Sequence, residues 1–349
     1  MPDSGYDITV VKFGGSCFID LDDYTAVAGY LAGLVSPDGP PRRRVVAVVS
    51  AMSGTTGRLL EAARSLDPEL RASAQDHILA TGEMVSASFL RVALDAQGCA
   101  AIDLWAGQNG LGSDGQATRA KIISMDPRPL LDALREHRVV VVAGGQATDA
   151  TGRVTMLGRN SSDLTAVAIA AMLGVDRCEI FSDVPGVFTA DPHVVPAAQL
   201  MPELSYRQCA AMSLAGAKVL HHDSVRMAEA HGVRIECRAL TPGEIDGALV
   251  AATGTVVGTG SGRAAVVTDR RRLDPIGEYG LVSVIDTEGR ARSSVVGLAE
   301  LDSVANALHA RLVDSALPAT EFVRPKRRSN HSDLLTRSGA SEHAGGDPA

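Results

Sequence analysis

The chain has 349 residues and a formal charge of -8, with Lys plus Arg at 33 against Asp plus Glu at 41, which argues against a generic attraction to nucleic acid or anionic lipid. Hydrophobic residues make up 45% of it but aromatic ones only 3%, so a core of Ala, Val, Leu and Ile is expected, as in parallel sheets under Ala-rich helices. No apolar run reaches the roughly 18 to 20 residues that cross a bilayer, the first residues lack a secretory pattern, and five scattered cysteines form no CxxC pair, so a cytoplasmic protein with reduced thiols is expected.

Short β-branched runs at 8–13, 45–50, 139–143 and 178–182 read as strands, and long Ala-rich segments separate them. Residues 165–173 are compact and apolar and stop at Gly174, which predicts a buried helix with a glycine C-cap. This alternation predicts an α/β protein whose ligands sit beyond the carboxyl ends of the strands. From about residue 241 the texture turns to Thr, Gly, Pro and Ser, and 251–263 reads as a linker. Beyond it, strand-like stretches at 281–286 and 292–296 precede a helical pattern at 303–312, too little for a large independent core. Residues 324–349 begin with a basic run and then lose almost all apolar content, which predicts a disordered tail.

The first strand ends in Lys12-Phe13-Gly14-Gly15-Ser16. Two glycines after a strand let backbone N–H groups approach phosphate oxygens, and the lysine adds a point charge; a plain turn with a snorkelling lysine fits the same residues. The residues after this strand form neither a P-loop nor a GxGxxG fingerprint. The second strand runs into Ser50-Ala51-Met52-Ser53-Gly54-Thr55-Thr56-Gly57, either a capping turn or a ligand loop. Thr81-Gly82-Glu83 sets a carboxylate in an apolar helical pattern, where it needs a partner: a ligand ammonium or a protein cation.

Leu157-Gly158-Arg159-Asn160-Ser161-Ser162-Asp163 leads into the apolar helix. Small polar residues at a helix N-terminus suit an anion, Arg159 offers a fork to a carboxylate, and Asp163 suits either a cap or a catalytic role. After the 178–182 strand, Ser182-Asp183 and a Pro-Gly turn lead to Phe188, a pattern that fits a flap over a nucleotide. Gly216-Ala217-Lys218 places another lysine in an apolar segment, where a phosphate partner would relieve its charge.

In this order the segments resemble the amino acid kinase superfamily and, within it, the aspartate kinases. The family patterns KFGGT/S, SAMSGxT, TGE, LGRGGSD, TDVxGVYTADP and GAKVLHP correspond to 12–16, 50–56, 81–83, 157–163, 182–192 and 216–222. The resemblance covers about 8–249 and implies a three-layer fold with a central, mostly parallel sheet. It implies that Lys12, Gly14, Gly15 and Ser16 hold ATP phosphates with Lys218, that Asp163 orients the lysines, and that Ser182, Asp183 and Phe188 line the nucleotide site. Ser50, Thr56, Glu83, Arg159 and Ser162 would hold the amino acid.

The reaction so implied is transfer of the ATP γ-phosphoryl group to a side-chain carboxylate, with Mg2+ on the phosphates and no protein metal site, in a homodimer. Four departures stand out: Asn160-Ser161 replaces a glycine pair, Gly144-Gly145-Gln146-Ala147 lacks the aromatic of GFxG, His193 replaces the usual arginine, and His222 the proline. Aspartate kinases carry two βαββαβ ACT domains, whereas 264–323 holds about one incomplete unit, so lysine or threonine feedback should be missing or altered. Two further readings are a kinase for another amino-acid-like carboxylate and a nucleotide-binding regulatory subunit without turnover.

Overall fold

The computed structural model describes residues 6–35, 43–217, 220–243, 248–273 and 277–314. Lys218, the end of the expected ACT-like unit and the expected tail at 324–349 lie outside the described residues. In chain order the first elements are β1 (Asp7–Phe13), α1 (Leu21–Leu34), β2 (Arg43–Val49), α2 (Thr55–Leu66), α3 (Ala72–Ala96), β3 (Ala101–Leu104), β4 (Leu111–Ser113), β5 (Ile122–Met125), α4 (Arg128–Glu136) and β6 (Val139–Ala143). Then come β7 (Gln146–Thr148), β8 (Val154–Met156), α5 (Ser162–Leu173), β9 (Arg177–Ser182), β10 (Glu203–Ser205), α6 (Tyr206–Leu214), α7 (His222–His231) and β11 (Arg234–Pro242). The last are β12 (Leu249–Ala251), β13 (Thr255–Gly258), β14 (Ala265–Leu273), β15 (Gly277–Ile285), β16 (Ala291–Val296) and α8 (Leu301–Asp314).

The large sheet runs β10-β13-β11-β9-β1-β2-β6-β3, with β12 beside β11. From β3 to β11 every neighbouring pair is parallel, and β13 turns antiparallel to β11. Side chains alternate across a strand. On β1, Val10 therefore joins the core shared with α5 and α7, while Val11 and Phe13 join the opposite core with α1 and α3. Because both faces are covered, these strands read as near-continuous apolar runs, and the expected α/β class and three-layer arrangement are what the chain adopts. α5 is buried along nearly its whole length and ends at Gly174, left-handed at φ 67, as the glycine stop requires.

Three features differ from the sequence expectations. Within 251–263, expected as a linker, Thr255–Gly258 forms β13 inside the large sheet. Thr255 is buried there, its hydroxyl donating to the Met201 carbonyl at 2.6 Å; four residues of Thr, Val and Gly carry too little alternation to stand out. A second sheet, β5-β4-β7-β8, is built from strands of three or four residues, too short to show a period. Among the described residues beyond 264 there are three antiparallel strands, where two were expected, in the order β14-β15-β16, with α8 packed on them.

Candidate active site

The parallel strands β9, β1, β2 and β6 end side by side, so Ser182, Gly14, Ser50 and Gly144 stand next to one another at their carboxyl ends. Backbone bonds lock that row: Gly14 N–H donates to Phe181 O at 2.9 Å, Ser50 N–H to Phe13 O at 3.1 Å, and Gly144 N–H to Val49 O at 2.9 Å. Lys12 lies on the Val10 face of β1, two residues along, and so points toward α5. There its Nζ meets Asp163 Oδ1 at 2.7 Å, with both side chains about nine-tenths buried. The other carboxylate oxygen, Oδ2, accepts the His221 backbone N–H at 3.4 Å, tying β1, α5 and the start of α7 to one group.

The glycines beside this pair leave the backbone bare where space is shortest. A Cβ on Gly14 would stand 3.4 Å from Lys12 Nζ and 3.3 Å from Phe181 O, and one on Gly15 would stand 2.7 Å from Ala51 O. Ser16 Oγ accepts the Asp183 backbone N–H at 3.3 Å, joining the glycine turn to the loop after β9. Ser182 is half-buried and Asp183 exposed; the Ser182 hydroxyl donates to Val184 O at 3.1 Å. Phe188 is half-buried and bridges to Leu200.

On the other side of the Ser50-Ala51 loop, α3 presents Glu83. The approach is close because Gly82 has no side chain: a Cβ there would lie 3.2 Å from the Ala51 methyl. Glu83 is 8% exposed, and its Oε2 is buried with no hydrogen-bond partner. Burial pushes its carboxyl up to about 7, against a hydrogen bond from the Ala51 backbone that favours the charged form. A buried carboxylate with an unused oxygen suits an incoming cation.

The 157–163 turn uses its departures from the glycine pattern in a structural way. Asn160 takes the left-handed conformation at φ 56, which Asn tolerates better than most residues. Ser161 is buried and its hydroxyl donates to Gly158 O at 2.7 Å. It fits because Gly145 is bare: a Cβ there would stand 3.1 Å from Ser161 Oγ. Ser162 opens α5 under Gly144, whose Cβ would stand 2.6 Å from Ser162 Oγ.

Of the residues expected from the sequence, Lys12 and Asp163 meet directly with Gly14 beside them, Gly15 lies against Ala51, Ser16 bonds Asp183, and Glu83 borders the Ser50-Ala51 loop. Arg159 is exposed in the turn before α5, and Thr56 is exposed in the first turn of α2. Sequence reading missed Gly144 as the seat of Ser162 and the His221 amide as an Asp163 partner. Gly144 straight after a strand of four valines and an alanine was the available signal for the first; nothing local marks the second. Among the described residues no group of three or more His, Cys, Asp or Glu is arranged to hold a metal ion, and no helix is long and apolar enough to cross a membrane.

A profile of the amino acid kinase family matches residues 7–238. The chain belongs to the amino acid kinase family. Its curated relatives include an aspartokinase of Thermus thermophilus, 37% identical over 232 residues, which covers 66% of this chain and 56% of that protein. An aspartokinase of Mycobacterium bovis is 34% identical over 309 residues, covering 88% of this chain and 68% of the relative. The crystal structure of aspartate kinase from Synechocystis superposes with a TM-score of 0.61 at 35% identity, over 73% of this chain and 40% of that one. This amino acid kinase chain thus spans a little over half the length of the Thermus protein it matches.

Proposed function

We propose that the chain is an ATP-dependent kinase that transfers the γ-phosphoryl group to the side-chain carboxylate of L-aspartate, giving 4-phospho-L-aspartate and ADP. The observation that carries this reading is the pairing of two unlike half-sites across one loop: the buried Lys12–Asp163 pair beside bare Gly14, and the buried Glu83 with its unused Oε2. The aspartokinase names of its relatives supply the substrate class.

In this reading the cradle left open by Gly14 and Gly15 takes the ATP phosphates, with Lys12 and Lys218 as cations, and Ser16, Ser182, Asp183 and Phe188 border the nucleotide. Mg2+ would arrive on the phosphate oxygens and neutralise charge there. Glu83 faces the amino acid's ammonium group, and Ser50, Thr56, Arg159 and Ser162 take its carboxylates. A carboxylate oxygen attacks the γ-phosphorus as the bond to the β,γ-bridging oxygen breaks, and the electron pair leaves with ADP. The nucleophile is already ionised at neutral pH, so no general base is required. Asp163 holds Lys12 in place, and fixed positive charge where negative charge spreads is the main source of rate.

A second reading, phosphorylation of a related amino-acid-like carboxylate, is favoured by Ser161 filling the room beside Gly145. ATP-dependent hydroxylamine trapping over a panel of amino acids separates the two, because only an acyl phosphate product gives a hydroxamate. Aspartyl hydroxamate supports the first reading; a hydroxamate from another acid alone supports the second. We propose further that the chain acts as a homodimer, read by light scattering. Lysine and threonine should leave its rate nearly unchanged, which titration of each at saturating and at low aspartate checks.

A further inference from the structure

The segment that carries Phe188 has little regular structure of its own. Residues 187–189 and 199–201 pair loosely, with Thr189 N–H donating to Gln199 O at 2.9 Å and Met201 N–H to Val187 O at 2.8 Å. Its base is held by β13, where Val187 N–H donates to Thr255 Oγ1 at 2.8 Å, and the residues after Phe188 are supported by the C-terminal unit. Ala190 and Val195 belong to one core with Val266, Val282, Val284, Leu301 and Ala305. Val266 N–H on β14 donates to Thr189 O at 2.8 Å, and Asn306 Nδ2 on α8 donates to Val194 O at 2.8 Å.

The most telling contact is between side chains 120 positions apart. His309 Nε2 on α8 and Thr189 Oγ1 share a hydrogen bond of 2.8 Å, with Thr189 at 0% and His309 at 2% exposure. The same hydroxyl accepts the Gln199 N–H at 2.9 Å, so one oxygen joins α8 to both arms of the segment. A helix face packed on valines and leucines has no need of an imidazole for burial alone, and a buried polar group stays there only when bonded. Thr189 follows Phe188 directly, so whatever fixes Thr189 fixes the backbone that aims the aromatic ring.

We propose that His309 is a positioning residue of the nucleotide site: through Thr189 it makes the C-terminal unit a brace that holds Phe188 ready for ATP. This rests on the reading of Phe188 as a nucleotide contact. The advantage is preorganisation, since a segment with few contacts of its own opens easily and would have to be ordered on binding. Among the described residues no hydrogen bond or ion pair joins Glu83 or the Ser50-Ala51 loop to this brace.

The test compares wild type, His309→Ala and His309→Gln as full-length proteins. ADP binding is measured by calorimetry with magnesium present, KM for ATP and for L-aspartate by hydroxamate formation, and thermal stability by melting. Loss of one such hydrogen bond should weaken ADP binding and raise KM for ATP about 3- to 10-fold, while KM for aspartate and kcat stay within about twofold. His309→Gln, which keeps a polar group at the same reach, should restore most of the ADP affinity. If His309→Ala does not fold, Thr189→Val removes the same hydroxyl in nearly the same shape. Lower stability with wild-type ADP affinity, or equal losses for both substrates, would overturn the proposal. Wild-type protein that binds no ADP would instead overturn the functional reading, and the brace with it.

Discussion

Lys12 Nζ stands 2.7 Å from Asp163 Oδ1, in a pair that leaves each side chain only about a tenth exposed. Breaking a buried pair from one side strands the other charge, at about 3–5 kcal/mol. Asp163→Ala should therefore lower stability in urea unfolding by roughly that amount. Lys12→Met should lower turnover about 100- to 1,000-fold, and Lys12→Arg should keep more stability than Lys12→Met because it keeps the charge. Turnover at the wild-type level in folded Lys12→Met would remove Lys12 from the reaction.

Glu83 makes stability depend on pH in an unusual direction. Burial raises its carboxyl from 4.5 to about 7, so between those values the folded chain holds a proton that the unfolded chain has released. Its stabilising share is thus fully present below about 4.5, falls as pH rises, and levels off above about 7, a total of roughly 3 kcal/mol. In urea unfolding from pH 4.5 to 8, Glu83→Gln should lack this fall. With substrate, KM for aspartate should decrease as pH rises through about 7, because an ammonium group prefers the ionised carboxylate; the Glu83→Gln profile should be flat and high.

Gly15 has no room for a side chain, since its Cβ would stand 2.7 Å from the Ala51 carbonyl oxygen. That neighbour is backbone and yields only if the loop moves. Gly15→Ala should cost about 1–3 kcal/mol in unfolding experiments and should weaken aspartate binding, because Ala51 also bonds Glu83.

Asn160 sits at φ 56, where the related pattern has glycine. Asn160→Gly should leave stability nearly unchanged, whereas Asn160→Val should cost about 1–2 kcal/mol. Equal stability of the two variants would show that this turn does not hold the left-handed conformation.

How much of this was legible in the sequence follows from what each element shows locally. Lys12 was legible only together with the glycine pair that follows it, and α5 because the apolar run 165–173 ends at one glycine, Gly174. β14 was hidden because Asp269, Arg270, Arg271 and Arg272 follow one another, which breaks the period-two alternation of a strand packed on one face. Arg159 and Thr56 carry the expected motif and both side chains are exposed, since a motif fixes a position along the chain while exposure follows the tertiary surroundings. The Thr189–His309 bond joins residues 120 apart, and no local pattern reports such a pair.

The central claim is that one loop separates a phosphoryl donor beside Lys12 from an acceptor whose ammonium group faces Glu83. Succinate is aspartate without that ammonium, so the most direct measurement is ATP-dependent hydroxamate formation with L-aspartate and with succinate, on wild type and Glu83→Gln. The account predicts aspartyl hydroxamate from the wild type, almost none from succinate, and a large loss for aspartate in Glu83→Gln. Folded wild-type protein that gives no aspartyl hydroxamate, or that uses succinate as well as aspartate, would contradict it.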